Sequence, residues 1–182
     1  MLAGLWGKLV AGALSVSALM FSPYTGNNPQ FGQLQCRAGQ NYLIVRAKLE
    51  SAFDNDFADV FKCGKPVHVW FKVELRHNGD IAFSNNYRHT VTYDPMNAVW
   101  ELYTSENGRR ELFDSYQKLL NETALLECSI ARSSVWRSIE VRAEAWLQEV
   151  ELSQPQRSVD LMVLWKMKRP STRTTFQLPP VS

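Results

Sequence analysis

Residues 67–80 read VHVWFKVELRHNGD, and this stretch decides the fold. Val67, Val69, Phe71, Val73 and Leu75 alternate with His68, Trp70, Lys72, Glu74 and Arg76. A period of two places the first set on the buried face of a β-strand and the second on its wet face. Asn78-Gly79 is a strong hairpin signal, because both residue types tolerate positive φ. Ile81, Phe83, Tyr87, Val91 and Tyr93 then mark the buried face of the return strand. A tight two-residue loop pairs Leu75 with Ala82 and Phe71 with Asn86, apolar against polar. Slipping one residue pairs Leu75 with Phe83, Phe71 with Tyr87 and Val67 with Val91. Because such a slip turns every side chain to the other face, the matching register demands an odd loop, Asn78-Gly79-Asp80, or an equivalent bulge.

The pattern extends on both sides. Residues 42–50 alternate, with Leu43, Val45, Ala47 and Leu49 on one face. Phe53, Phe57, Val60 and Phe61 then recur at helical spacing, after a capping-box-like Ser51 and before Gly64 and Pro66, which predicts a helix over 52–62. Downstream, Asp94-Pro95-Met96-Asn97 is a turn, and a strand over 98–104 carries Ala98, Trp100 and Leu102 inward. Asn107-Gly108 is a second turn, and Asp114 with Gln117 opens a short helix. Residues 123–130 fit strand or helix. Residues 139–147 alternate but also fit a helix, and 159–167 alternate as a strand.

The ends differ from this body. The run LVAGALSVSALMF over 9–21 is uncharged and follows Lys8, the layout of a secretory signal. Cleavage after Val16-Ser17-Ala18 and retention of 2–21 as a membrane anchor both stay open. The resulting division is 1–21 signal or anchor, 22–40 flexible lead-in, 41–168 folded domain and 169–182 basic disordered tail. The 182 residues carry 20 basic and 18 acidic side chains, so the net charge of +2 offers no argument for nucleic acid. Three cysteines are too few for a disulfide scaffold. Many antiparallel strands with two short helices predict an all-β-dominated domain, a β-sandwich of immunoglobulin-like architecture.

The order of motifs resembles the uncharacterised bacterial domain-of-unknown-function family 4390. The likeness rests on Gly64-Lys65-Pro66-Val67, Phe71, Val73-Glu74-Leu75, Val91-Thr92-Tyr93-Asp94, Trp100-Glu101-Leu102, Phe113-Asp114-Ser115 and Val141-Arg142-Ala143, and covers roughly 42–168. The resemblance implies an exported or membrane-anchored envelope protein with no known catalytic residues, linked to membrane sensor kinases. It also favours a strand over 139–147.

No nucleophile elbow, zinc-protease, phosphate-loop, dinucleotide or Cys-x-x-Cys pattern occurs, and His68, His77 and His89 are far apart. No catalytic residue, cofactor or metal is therefore expected. The strand register places His89 on the inner face between Val69 and Leu102, either as a hydrogen-bonded core histidine or as a buried pH-sensitive residue. On the outer face it lines up Trp70, Arg88 and Tyr103, with His68, Thr90 and Glu101 in the next row. Trp, Tyr and Arg anchor interfaces, so Trp70, Arg88, Tyr103, His68 and Glu101 form a candidate interaction patch. The bland reading has Arg88 lying over aromatic faces of a solvated sheet. The expected function is a non-enzymatic envelope domain, periplasmic or membrane-anchored on the outer side of the inner membrane, acting through contacts with an envelope or membrane protein. A ligand-sensing or regulatory module for a membrane sensor kinase is the alternative, and a hydrolase or redox enzyme using His89 or a cysteine is the third. An apolar cavity lined by Phe71, Tyr87 and Trp100 would favour the sensor.

Overall fold

The computed structural model describes residues 25–153 and 156–180. The predicted signal or anchor over 1–21 lies outside the described residues. Among them, no helix is long and apolar enough to cross a membrane.

Among the described residues, the chain is dominated by antiparallel strands, with two α-helices and two principal sheets. In chain order the elements are β1 (Gln30–Phe31), β2 (Gln35–Ala38), β3 (Tyr42–Glu50), α1 (Phe57–Phe61), β4 (Val67–His77), β5 (Asp80–Asp94), β6 (Val99–Thr104), β7 (Arg109–Phe113), α2 (Tyr116–Thr123), β8 (Leu125–Ala131), β9 (Ser138–Leu147), β10 (Val150–Ser153), β11 (Gln156–Val159), a 3-10 helix (Leu161–Trp165) and β12 (Ser171–Gln177). One sheet has β3 at its centre, with β1 and β2 following each other along one side and β8 along the other. The second sheet has six strands in the order β12-β9-β4-β5-β6-β7. β10 and β11 form a separate hairpin.

Alternation places the core. Leu43, Val45, Ala47 and Leu49 of β3 are buried, as are Val67, Val69, Phe71, Val73 and Leu75 of β4 and Ile139, Val141, Ala143, Ala145 and Leu147 of β9. These belong to one continuous core shared by both sheets. The β4–β5 hairpin has the predicted register, Val67 opposite Val91, Phe71 opposite Tyr87 and Leu75 opposite Phe83. Its loop is the two-residue Asn78-Gly79 turn, at φ 53° and 90°, and the odd residue is taken up by a bulge beside Leu75. The bulge also turns Ile81 outward, where it is 56% exposed rather than buried as its spacing implied.

Several expectations are corrected. The helix predicted over 52–62 forms only as Phe57–Phe61, because Ser51 and Asp56 adopt left-handed backbone and no capping box closes. Phe53 still reaches the core, 4.9 Å from Phe57 and 6.1 Å from Trp165 between ring centroids. The lead-in over 22–40 contains β1 and β2. Its Asn27 side chain is buried, accepting from Asn55 N–H at 2.8 Å and donating to the Asn55 and Leu164 carbonyls. The strand expected over 159–167 is mostly the 3-10 helix, in which Leu161, Met162, Leu164 and Trp165 are buried. An unbroken apolar run hides its period, and tertiary packing chose the helical one. Trp165 is fully buried and donates its indole N–H to the Ala52 carbonyl at 2.8 Å. The tail expected to be disordered from 169 contains β12, paired with β9 from Ser171–Glu144 to Gln177–Ser138. The ambiguous 123–130 segment is mainly β8, and the second helix starts at Ser115, whose hydroxyl accepts from Lys118 N–H.

Candidate functional site

The outer face of the six-stranded sheet carries the predicted patch. Trp70 lies opposite Arg88 on β5, as expected, and opposite Trp146 on β9. The two indole rings stack with centroids 6.0 Å apart and planes 5° apart. The Arg88 guanidinium sits 5.6 Å from the Trp70 ring, and that of Arg169 lies 5.8 Å from Trp146. The result is a row of four half-exposed or exposed side chains, Arg88–Trp70–Trp146–Arg169. Trp70 Nε1–H donates to Gln148 Oε1 at 2.9 Å. Each ring stack or cation–π contact contributes about 0.5–1 kcal/mol.

The second row is corrected by the β5–β6 register. Tyr103 faces Thr90 and Glu101 faces Thr92, two residues away from the expected partners. The cause is the turn. Asp94 pairs with Val99 across a four-residue loop, and the Asp94 carboxylate accepts from Met96 and Asn97 backbone N–H groups. Ala98 completes the loop at φ 53° instead of entering the strand. A shift of two keeps every side chain on its predicted face while changing its neighbour. His68 Nδ1 is 3.0 Å from Thr90 Oγ1. Tyr103 lies under Arg110, whose guanidinium is 5.1 Å from the ring and 2.6 Å from Glu101 Oε1. His68, Thr90, Tyr103 and Arg110 thus make a row beside the tryptophan row. Burial, and secondly the Arg88 charge, hold the His68 ring below the usual histidine pKa.

The same register moves His89. It lies between Val69 and Thr104, not Leu102, and is fully buried. Its Nδ1 is 2.9 Å from the Thr123 carbonyl and its Nε2 is 2.8 Å from Glu106 Oε1. A carbonyl oxygen only accepts, so Nδ1 carries a proton, and Nε2 and Glu106 share one more. The Glu106 side chain is 3% exposed, and among the described residues its second oxygen and the Thr123 hydroxyl have no hydrogen-bond partner. The ring also packs on Phe71, with centroids 4.8 Å apart.

All three cysteines are free thiols. Cys36 and Cys128 flank Val45 on neighbouring strands, about 9.6 Å apart by strand spacing, beyond disulfide reach. Burial pushes the Cys128 thiol up to about 12, so it stays protonated at neutral pH.

Sequence reasoning missed Trp146, Arg169, Arg110 and Glu106. Glu106 continues the inward parity of Trp100, Leu102 and Thr104, a signal present in the sequence. Trp146 pairs with a residue far away along the chain, and no local pattern announces that. Comparison of the chain with protein-family models, curated proteins and solved structures gives no match.

Proposed function

We propose that this is a non-enzymatic β-sandwich domain of the cell envelope, acting through protein contacts made by the outer face of its six-stranded sheet. The observation that carries this reading is the contiguous Arg88–Trp70–Trp146–Arg169 row on a solvent face. Stacked indoles held by arginines present broad amphipathic surface whose rotamers are already restrained, which lowers the entropy lost on docking. His68, Tyr103 and Glu101 extend the patch along the neighbouring row.

The strand order supports an immunoglobulin-like architecture. β1/β2, β3 and β8 correspond to strands A, B and E, while β12-β9-β4-β5-β6 follow G-F-C-C′-C″ of the variable type. The basic start and apolar run over 2–21 support placement in the periplasm or at the membrane, on the outer side of the inner membrane. The resemblance of 42–168 to family 4390 points to an envelope or membrane protein, including a sensor kinase, as the partner. A non-enzymatic role is supported by the burial of the His89 ring, 0% exposed behind Glu106, because a catalytic proton donor must reach its substrate.

The test is site-specific photo-cross-linking in the native envelope with the reactive group at position 86, exposed and two residues from Arg88 along the same face of β5. One dominant adduct is expected, and Trp70→Ala with Trp146→Ala is expected to abolish it without unfolding the domain. A folded double variant that forms the same adduct removes this face from the reading.

A further inference from the structure

We propose that the shallow groove between β9 and β12 is a binding site for a dianionic phosphate group. The groove is lined by Arg142, Glu144, Arg169, Ser171, Thr172 and Arg173. Arg142 of β9 and Arg173 of β12 lie directly opposite each other. Like charges in that relation destabilise a sheet. Glu140, two residues along the same face of β9, lies opposite Arg76 of β4 and Thr175 of β12 rather than opposite Arg173. Glu74 faces Arg142 from β4, but its carboxylate is already engaged by Arg76 at 2.7 Å and Lys72 at 3.5 Å. Glu144 lies 3.8 Å from Arg169. Among the described residues, neither Arg142 nor Arg173 has a carboxylate within ion-pair distance.

The charge balance selects the ligand. Among the lining residues, Arg142, Arg169 and Arg173 against Glu144 leave a surplus of two positive charges. A phosphate monoester carries about −1.5 to −2 at neutral pH and matches that surplus, whereas a single carboxylate leaves one charge over. Guanidinium forks match phosphate oxygens bidentately, and Ser171 adds a hydroxyl donor at the strand end. This site stands independently of the partner-docking row, with which it shares only Arg169.

The experiment is titration of the full-length chain with inorganic phosphate at low ionic strength, followed by amide chemical shifts and calorimetry. Binding with a dissociation constant of about 1 mM or tighter is expected. Its shifts should be centred on 142–144 and 169–173. Arg173→Gln should weaken binding about tenfold and Arg142→Gln/Arg173→Gln about a hundredfold. The thermal midpoint of the phosphate-free variants should not fall, because each substitution relieves repulsion. Arg110→Gln, at the opposite edge of the sheet, should bind phosphate normally. Vesicles of phosphatidylcholine with and without phosphatidic acid separate the two sources of the group. Binding to the phosphatidic acid vesicles supports a lipid headgroup, and phosphate binding without vesicle binding supports a soluble phosphate. Absence of shifts in the groove, unchanged affinity in the double variant, or acetate competing on equal terms overturns the proposal.

Discussion

His68 and His89 sit on opposite faces of one sheet, and their surroundings give them different chemistry. His68 is half-exposed beside Arg88, and burial first and the Arg88 charge second lower its pKa from 6.5. A lowered folded-state pKa favours the neutral ring. Its contribution to stability is complete above the ordinary value and is lost as pH falls through the lowered one. Arg88→Gln removes the second cause, so the NMR titration of His68 should move upward. A titration that does not move would show that Arg88 exerts no field on the ring. His89 and Glu106 act as a unit in the core. His89→Leu strands a carboxyl group that is 3% exposed, at a cost of about 3–5 kcal/mol. His89→Leu with Glu106→Leu should recover most of that loss, because packed apolar side chains replace a buried polar pair at little net cost. Urea denaturation of wild type, single and double variants checks this. A double variant as unstable as the single would separate the two residues.

At the scale of elements, β12 carries the largest difference between sequence and structure. Its residues, STRTTFQ, are polar enough to read as a solvated tail, yet Thr has high β-propensity and the inward positions Thr172, Thr174 and Phe176 are half-buried. The strand covers the edge of β9 along its first residues. Ending the chain at Pro170 should bare that edge, lower stability by about 2–4 kcal/mol from lost Phe176 and Leu178 burial, and promote aggregation. Denaturation midpoints and light scattering measure both effects, and a monomeric truncated chain of unchanged stability would contradict them. β4 was legible from its alternation because one face is fully buried and the other is polar. The 3-10 helix was not, since Leu161 to Trp165 are all apolar and any period fits them. The short α1 was overpredicted for a related reason. Phe53, Phe57, Val60 and Phe61 do share the core, but left-handed backbone at Ser51 and Asp56 brings Phe53 there outside the helix.

For the whole molecule, the decisive contacts join segments far apart along the chain. β3 meets β8, β4 meets β9, and β9 meets β12. The Trp70–Trp146 stack exists because β4 and β9 are neighbours. The opposed Arg142 and Arg173 exist because β12 closes the sheet beside β9. What the sequence by itself determined is the face of the site residues on β4, β5 and β6: Trp70, Arg88, Tyr103, His68 and Glu101 outward, His89 inward. Side-chain alternation is a local property of extended backbone, and burial of one face demands it. Tertiary structure alone decided which side chains became neighbours. A turn closed by Asp94 and Val99 slid β6 by two residues without changing any face. That shift gave Thr90 to Tyr103 and Glu106 to His89. The physical reason is that face is set within one strand, whereas register and strand order depend on loops and on packing against distant parts of the chain.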